Sequence, residues 1–441
     1  MAFWSYKSYL CNLKKRSRLL DTAMKRIILC IIFSLVVVTI YAQHPNLLYP
    51  DSVNQVPIYV EPAPQVTPKA KSKTEYADSI EVIRKTPQWF REYLSSLIRG
   101  HVDRTREKKV DMGFAITPSY TREAGFGIGG AATGLYRMDR NDTLPNPSDF
   151  FASINASLNG FYVFTFKGNN LFPDNKSRLS YKFEIYKKSL NFWGITSEET
   201  ANNRVSQYDR RQIDLQTEYI YKVNRNFYAG VQVRNNYTDA CNVLNPEYLL
   251  NERAQYCVNG VGLSFEFDTR DNLVTPTKGL HIAYKPMVFL KALGNAESTF
   301  YSHTFITNYY QRLWKGAVLA FDWYMKLNSS STPWTMREMI ASDGVRMRGY
   351  YMGSTIDNNQ IASQIEYRQH VHKRIGFTLW AGGATIFSSF EQLHKQEIKP
   401  EWLHNFGVGL RFEFKHNVNA RIDYGFGQGT SGILFAIGEA F

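Results

Sequence analysis

Three charged residues stand together near the middle of the chain and could take part in acid–base chemistry. Asp268, Arg270 and Asp271 fall within four residues, and a carboxylate held beside a proton partner is what general acid–base catalysis requires. The cluster ends an alternating stretch that begins at Val261, so it falls at a strand end followed by a turn. Charged residues at such a turn pair with one another, and we interpret the cluster as structural rather than catalytic.

No other part of the sequence has the spacing of an active site. It contains no Ser/His/Asp set, no metal-ligand spacing and no phosphate loop, since the glycine-rich run 127–130 falls within a strand. We therefore predict no enzyme, no cofactor and no metal. Cys241 and Cys257 flank one polar loop, and after export either a disulfide or two unpaired thiols would fit this arrangement.

The composition favours a single large β domain. The chain has 441 residues, of which 44% are hydrophobic and 15% aromatic, which is too apolar for a disordered chain. Its 28 Tyr, 29 Phe and 29 Gly are typical of strands and tight turns. The net charge of +13 falls to +7 without residues 1–42, which hold seven basic residues and one acid. This mild excess gives no reason to expect a nucleic-acid partner.

The first hundred residues divide into three predicted segments. Residues 1–42 read as an extended N-terminus and a signal peptide, because Met24-Lys25-Arg26 precedes a short apolar run that ends near Ala42. Residues 43–75 form a proline-rich periplasmic linker. Residues 76–109 form a periplasmic helical segment, with an apolar stripe that either packs on the rest of the protein or docks a partner or the membrane surface.

From residue 110 to residue 441 polar and apolar residues alternate with a period of two. We count sixteen strands of about ten residues or more, whereas strands of globular proteins commonly have about five or six. Only a closed barrel satisfies every backbone group of such strands in lipid. The sequence therefore predicts an all-β fold, a 16-stranded antiparallel transmembrane β-barrel with a short N-terminal periplasmic arm and helix. An even strand count places both termini in the periplasm of a bacterial outer membrane.

Three stretches resemble the bacterial outer-membrane surface-antigen superfamily of BamA/TamA-like barrels. Residues 262–279 are similar to its strand–turn signature D-T-R-D-N…P-x-x-G, with Asp268, Arg270, Asp271 and Gly279 in the matching positions. Residues 345–350 resemble its V-R-G-F/Y loop motif. The core of that motif is Arg348, Gly349 and Tyr350, with Met347 in place of the family's valine. The stretch from Phe435 to Phe441 resembles the family's final strand, which ends in an aromatic residue.

The resemblance implies that the loop motif folds back into the barrel from the sixth outer loop. An arginine carried into a barrel interior needs a carboxylate partner. Glu366 on the twelfth predicted strand matches one acid of the family. On the thirteenth strand Trp380 stands where the family has an aspartate, so a second partner is missing. The alternative is that Arg348 is a solvated loop residue.

The family also implies a weak seam between the first and last strands that opens sideways. We place Pro118 and Phe441 at this seam. Proline cannot donate to a strand ladder, so Pro118 either weakens the seam or lies near a strand end without consequence. Residues 43–109 contain no strand pairs, so the chain resembles a member of the family without POTRA domains.

The predicted function is insertion or translocation of proteins or lipids at the outer membrane, through a lateral seam and the infolded sixth loop. The expected partners are outer-membrane lipid, unfolded or exported protein clients and other envelope proteins. Two alternatives stay open. One is a structural or partner-binding barrel in a larger complex, and the other is a diffusion pore, which the infolded loop disfavours.

Overall fold

The computed structural model describes residues 105–121, 125–139, 147–157, 159–372, 374–391, 401–415 and 418–441. The predicted signal peptide, the linker and nearly all of the predicted periplasmic helical segment lie outside these residues. Residues 105–109, the end of that segment, are turns and bends. No helix in the described part of the chain is long and apolar enough to cross a membrane.

One antiparallel sheet of sixteen strands forms the body of the protein, and its strands follow chain order. In chain order the strands are β1 (Asp111–Thr121), β2 (Gly125–Tyr136), β3 (Ser148–Ser157), β4 (Tyr162–Leu171), β5 (Ser177–Phe192), β6 (Ser206–Lys222), β7 (Phe227–Cys241), β8 (Gln255–Asp268), β9 (Gly279–Phe289), β10 (Phe300–Trp314), β11 (Ala317–Asn328), β12 (Glu338–Met339), β13 (Ile356–Asp357), β14 (Asn359–His372), β15 (Ile375–Phe387), β16 (Leu403–Lys415), β17 (Val418–Gly427) and β18 (Thr430–Ile437). Strands β12 and β13 pair only with each other, inside the long loop between β11 and β14.

Helical structure in the described chain is confined to short segments between the strands. One α-helix, α1 (Ser197–Asn202), lies between β5 and β6. The 3-10 turns of the described chain are Pro173–Asn175, Pro246–Leu249, Lys291–Leu293 and Trp334–Met336. One end of the barrel holds β12 and β13 and several long loops, such as 193–205, 242–254 and 329–358, and we call this the loop end. The opposite end is the turn end, with tight turns such as 315–316.

The two faces of the sheet have opposite polarity. Along β16 the outward residues Phe406, Val408 and Leu410 are 56%, 51% and 60% exposed, whereas the inward Asn405 and Arg411 are buried. Apolar side chains face outward and polar side chains face the lumen, which is the pattern of a barrel in lipid. The predicted fold class is confirmed, and most strand bounds agree with the prediction to within a few residues.

In the described chain no hydrogen-bonded ladder joins the two edge strands of the sheet, β1 and β18. Hydrogen-bonded pairing runs from β1 to β18 but not from β18 back to β1, although Cα atoms of the two strands come within 8 Å. Of the two edge strands, β18 is short, with 8 residues, whereas β1 has 11. On the far wall β5 and β6 have 16 and 17 residues.

Packed side chains fill the loop end of the barrel. A buried apolar cluster joins the loops after β5, β7 and β9 to the first half of the β11–β14 loop, and we call it the loop cap. Trp334 at its centre is fully buried, and its indole Nε1 donates to the Arg253 carbonyl at 3.0 Å. Arg337 binds Glu252 at 2.6 Å. The loop cap therefore covers part of the lumen mouth.

The last four residues correct the prediction for the final strand. We expected this strand to run to Phe441, but β18 ends at Ile437 and Gly438 takes a φ of +94°. The chain then turns into the lumen, where the Phe441 ring lies 6.3 Å from the ring of Tyr310 on β10. Arg368 of β14 donates to the Phe441 carbonyl oxygen at 2.8 Å. Phe441 therefore lies inside the barrel rather than on the edge of β18.

Candidate functional site

Arg348 lies inside the barrel between two carboxylates. Its side chain is 1% exposed, and its Nη2 donates to Glu366 Oε2 on β14 at 2.7 Å. Its Nη1 donates to Asp423 Oδ2 on β17 at 2.8 Å. Charge-assisted bonds of this kind are about twice as strong as neutral ones. They hold residues 341–350, which we call the loop tip, against the inner wall formed by β14 to β17.

Trp380, which stands where the family has an aspartate, contacts Arg348. The Arg348 Cζ lies 3.7 Å from the centre of the Trp380 ring on β15, so an aromatic face replaces the expected carboxylate there. Asp423 supplies the second negative charge from β17 instead. Sequence reasoning missed Asp423 because the family carries the acids that bind the motif arginine on its twelfth and thirteenth strands, and Asp423 is on neither. Inward alternation along β17, from Arg421 to Asp423 and Gly425, is the signal that would have found it.

Three further arginines surround the same acids. Arg368 Nε donates to Glu366 at 2.8 Å, and Arg411 Nη1 donates to Asp423 at 2.6 Å. Arg421 Nη1 donates to Asp423 at 3.1 Å. Glu439 also binds Arg411, at 3.0 Å. Four guanidinium groups therefore share three carboxylates, and losing one carboxylate would leave buried positive charge without compensation.

Glycines clear the inner wall for the backbone of the loop tip. Gly349 has a φ of +105°, and a Cβ there would lie 2.5 Å from the Gly425 carbonyl carbon. A Cβ on Gly425 would overlap the Arg348 carbonyl oxygen, and a Cβ on Gly427 would overlap the Tyr350 ring. The Tyr350 hydroxyl donates to the His404 carbonyl at 2.9 Å. The strand glycines thus let the loop tip contact β17 backbone to backbone.

Met347, the departure from the family motif, has a conformational reason in this chain. Its φ is +54°, a left-handed conformation in which a β-branched residue such as valine is a genuine outlier. The Met347 side chain is 2% exposed and packs with Ile340 and Ala362. An unbranched side chain can therefore fill this pocket with less backbone strain.

The strand–turn motif forms a closed ion-pair network. Asp268 Oδ2 accepts from Arg178 Nη1 at 2.7 Å and from Arg270 Nη2 at 2.9 Å. Its Oδ1 accepts from the backbone N and Nε of Arg270 at 3.1 and 3.0 Å. Each carboxylate oxygen therefore has two donors, and no lone pair is left for a substrate or a metal.

Asp271 shapes the turn between β8 and β9. Its Oδ1 accepts from the backbone N–H groups of Thr277 and Lys278 at 2.9 and 3.2 Å, and the Thr277 hydroxyl donates to Oδ2. Burial alone raises the pKa of the Asp271 carboxyl, but these hydrogen bonds outweigh it and hold that pKa below its usual value of 3.8. The carboxylate therefore acts as a fixed acceptor within the turn.

Gly279 is the motif position with the strictest steric demand. Its φ is +120°, and a Cβ there would overlap the Thr269 carbonyl oxygen and lie 2.7 Å from the Arg270 Cα. We expect Gly279→Ala to destabilise the folded barrel by about 2–3 kcal/mol, because both the backbone conformation and the backbone contact are lost. The measurement is the free energy of unfolding in urea.

Gly160→Ala is the matched control for that substitution. Gly160 also has a positive φ, +74°, but a Cβ added there would meet open space, with no neighbouring atom within 4 Å. We expect a cost of about 1–2 kcal/mol there, from conformation alone. Equal losses for the two variants would contradict the steric role assigned to Gly279.

Three side chains of the types that bind metal ions lie beside the turn between β8 and β9. The ligand atoms of Glu266, Asp268 and His281 lie within 4.8 Å of one another. Lys285 Nζ, however, binds Glu266 Oε1 at 2.8 Å, and arginines saturate Asp268. These cations already balance the carboxylates, so we assign the group to ion pairing.

The remaining predicted site residues lie apart from the loop tip. Cys257 pairs in register with Tyr237, four residues from Cys241 on β7. Four strand residues span about 13 Å, beyond the Cα separation of about 7 Å that a disulfide tolerates. The disulfide alternative is therefore excluded in this fold. Pro118 lies on the edge strand β1, opposite Ile128 of β2.

Comparison with known proteins agrees with the family predicted from the sequence stretches. Residues 150–441 match the family described as Omp85 superfamily domain. No match was found among curated proteins.

Solved structures that are similar to this chain include BamA from Haemophilus ducreyi lacking POTRA domains 1–3. It is 10% identical, with a TM-score of 0.48 over 74% of this chain and 70% of that one. CdiB from Acinetobacter baumannii is 12% identical, with a TM-score of 0.44 over 78% and 67%. CdiB from Escherichia coli is 9% identical, with a TM-score of 0.47 over 75% and 63%.

The family match covers well over half of the chain, and the sheet of sixteen strands carries an arginine loop motif inside its lumen. The chain therefore belongs to the Omp85 superfamily of bacterial outer-membrane barrels, whose members are non-enzymatic and insert or translocate proteins.

Proposed function

We propose that this protein inserts or translocates protein clients, or lipids, at the outer membrane through the seam between β1 and β18. The loop tip lies in the lumen during this work, both termini face the periplasm, and the protein is not an enzyme. The observation that carries the proposal is that no hydrogen-bonded ladder joins β1 to β18 in the described chain. This seam lies next to β17, the strand that supplies Asp423 to Arg348.

The two edge strands, β1 and β18, supply the physical basis for lateral passage. An edge strand can accept a further strand alongside it, so the sheet can be extended at either side of the seam. A client strand added to an exposed sheet edge gains main-chain hydrogen bonds in this way. Pro118 on β1 lacks an N–H group and would weaken closure of the same edge.

The short last strand supports the same interpretation. With 8 residues in β18 and 17 in β6, we expect the apolar band to be lower at β18 than on the far wall. A bilayer thins to match a short apolar stretch. Thinned lipid would lower the cost of moving polar client segments across the membrane at that side.

The contacts of the loop distinguish this proposal from a diffusion pore. The loop cap and the loop tip both place side chains across the lumen. We expect small and intermittent conductance from the protein in planar bilayers. A large, steady conductance would favour the pore.

Conditional depletion followed by quantitative outer-membrane proteomics tests the proposed function. Loss of many barrels would support an insertion role, and loss of one surface protein or lipid-linked set would support a dedicated transporter. An unchanged outer membrane after complete depletion would contradict the proposal and favour the structural or partner-binding alternative.

A further inference from the structure

A second arginine of the loop tip makes its own contact with the barrel wall. Arg346 Nε donates to Asp322 Oδ2 at 2.8 Å, and Arg346 Nη2 donates to Asp322 Oδ1 at 2.7 Å. Asp322 lies on β11 and its side chain is fully buried. The Arg346 Cζ also lies 4.2 Å from the centre of the Tyr324 ring. This two-point pair on β11 is separate from the acids that bind Arg348.

Asp322 continues into a line of polar contacts across β10 and β9. Asn308 Nδ2 on β10 donates to Asp322 Oδ1 at 2.8 Å, so its Oδ1 faces His281 Nδ1 at 3.3 Å. Because that amide oxygen can only accept, His281 Nδ1 is the donor. His281 Nε2 on β9 lies 3.4 Å from Glu266 Oε2 on β8. The line of hydrogen bonds therefore ends at His281, and its ring reaches the strand–turn motif by proximity alone, with the ligand atoms of His281, Glu266 and Asp268 within 4.8 Å of one another.

We propose that Arg346 is a positioning residue for the loop tip, and we call its pair with Asp322 the second clamp. We further propose that Asp322, Asn308 and His281 connect this clamp to the strand–turn motif, which begins at the last residue of β8. The loop tip is thus held from two sides, by Arg348 toward β14 and β17 and by Arg346 toward β11. The strand–turn motif sets the position of the loop tip through the contact of Arg346 with β11.

One side chain joins the two clamps. Gln364 on β14 donates to Asp322 Oδ2 at 3.1 Å and accepts from Arg348 Nη2 at 3.3 Å. The two arginines therefore do not act as independent anchors. Movement of the Arg346 pair changes the hydrogen bonding of Arg348, although the arginines bind different carboxylates.

The test follows exposure of the loop tip by chemical labelling. Met347→Cys, at a position that is buried in the parent, is introduced with Cys241→Ser and Cys257→Ser into the full chain in outer-membrane vesicles. A water-soluble maleimide then reports opening of the loop tip. We expect Arg346→Ala to raise the labelling rate on the order of 100-fold, because a buried carboxylate loses its partner.

Further variants separate positioning from general loss of structure. Asp322→Asn should raise the rate similarly, and the double variant should add little to either change. Arg346→Lys, which keeps the charge but not the two-point geometry, should restore part of the protection. Labelling of Ile195→Cys in the loop cap should stay unchanged, and His281→Phe should raise the rate at position 347 several-fold.

Unchanged labelling in both Arg346→Ala and Asp322→Asn would overturn the second clamp. Unchanged labelling in His281→Phe alone would overturn the connection to the strand–turn motif. If Arg346→Ala does not fold, Arg346→Lys and Asp322→Asn decide the question. The assay measures the loop tip and not client transport, so its failure is distinguishable from failure of the proposed function.

Discussion

Arg348→Ala is expected to release the loop tip from the barrel wall and to abolish most activity. The substitution removes the only loop-tip partner described for Glu366 and Asp423, which are both fully buried and keep their arginine partners on the barrel wall. The loop tip itself loses two charge-assisted hydrogen bonds, each worth about 1.5–3 kcal/mol. That is a large part of the free energy that holds a loop in place, so the loop tip should spend much of its time detached. Limited proteolysis of the β11–β14 loop measures this release.

An exposed arginine of the same end of the barrel is the matched control. The Arg253 side chain is 55% exposed and lies 3.8 Å from Glu297, and exposed pairs contribute about 0–1 kcal/mol. Arg253→Ala should leave both the protease sensitivity of the loop and client levels near those of the parent. Unchanged protection in Arg348→Ala with full activity would show that the buried pair does not position the loop.

Gly425→Val should displace the loop tip while every charged partner stays in place. A side chain at Gly425 overlaps the carbonyl group of Arg348, which is backbone and cannot swing aside. Overpacking against a fixed group costs about 1–3 kcal/mol, and here the cost falls on the contact between the loop tip and β17. We expect protease sensitivity of the loop similar to that of Arg348→Ala. The same proteolysis measures it, together with client levels.

Gly432→Ala is the control for this substitution, because Gly432 pairs directly with Gly425 across β17 and β18. A Cβ there would lie 3.7 Å from the Gly349 Cα, an ordinary contact. The control should keep the loop protected. If Gly425→Val also keeps it protected, the loop tip does not rest on β17 as described.

Much of the barrel could be predicted from the sequence because the alternation of polar and apolar residues is a local property of each strand. Along β16 each second residue is apolar, and this alternation follows from having lipid on one side and a polar lumen on the other. The position of the arginine motif in the sixth outer loop follows from counting such strands. Neither inference requires knowing which residues meet across the lumen.

The partners of the loop tip could not be predicted in the same way. Asp423 and Arg348 are 75 residues apart, and their meeting depends on the curvature of the sheet and on how deeply the loop enters. The disulfide alternative failed for a related reason, since register alone sets Cys257 opposite Tyr237 rather than Cys241. The end of β18 depends on Gly438, whose positive φ has no signature in an alternating pattern.

The most direct test of lateral passage is a reversible lock on the seam. Cysteines are scanned in pairs between Asp111–Thr121 and Thr430–Ile437 in a chain that lacks Cys241 and Cys257, and a pair that forms a disulfide in the membrane is chosen. We expect the oxidised protein to lose its effect on client levels, and reduction in the same cells to restore it. Full activity with the seam locked would contradict passage between β1 and β18.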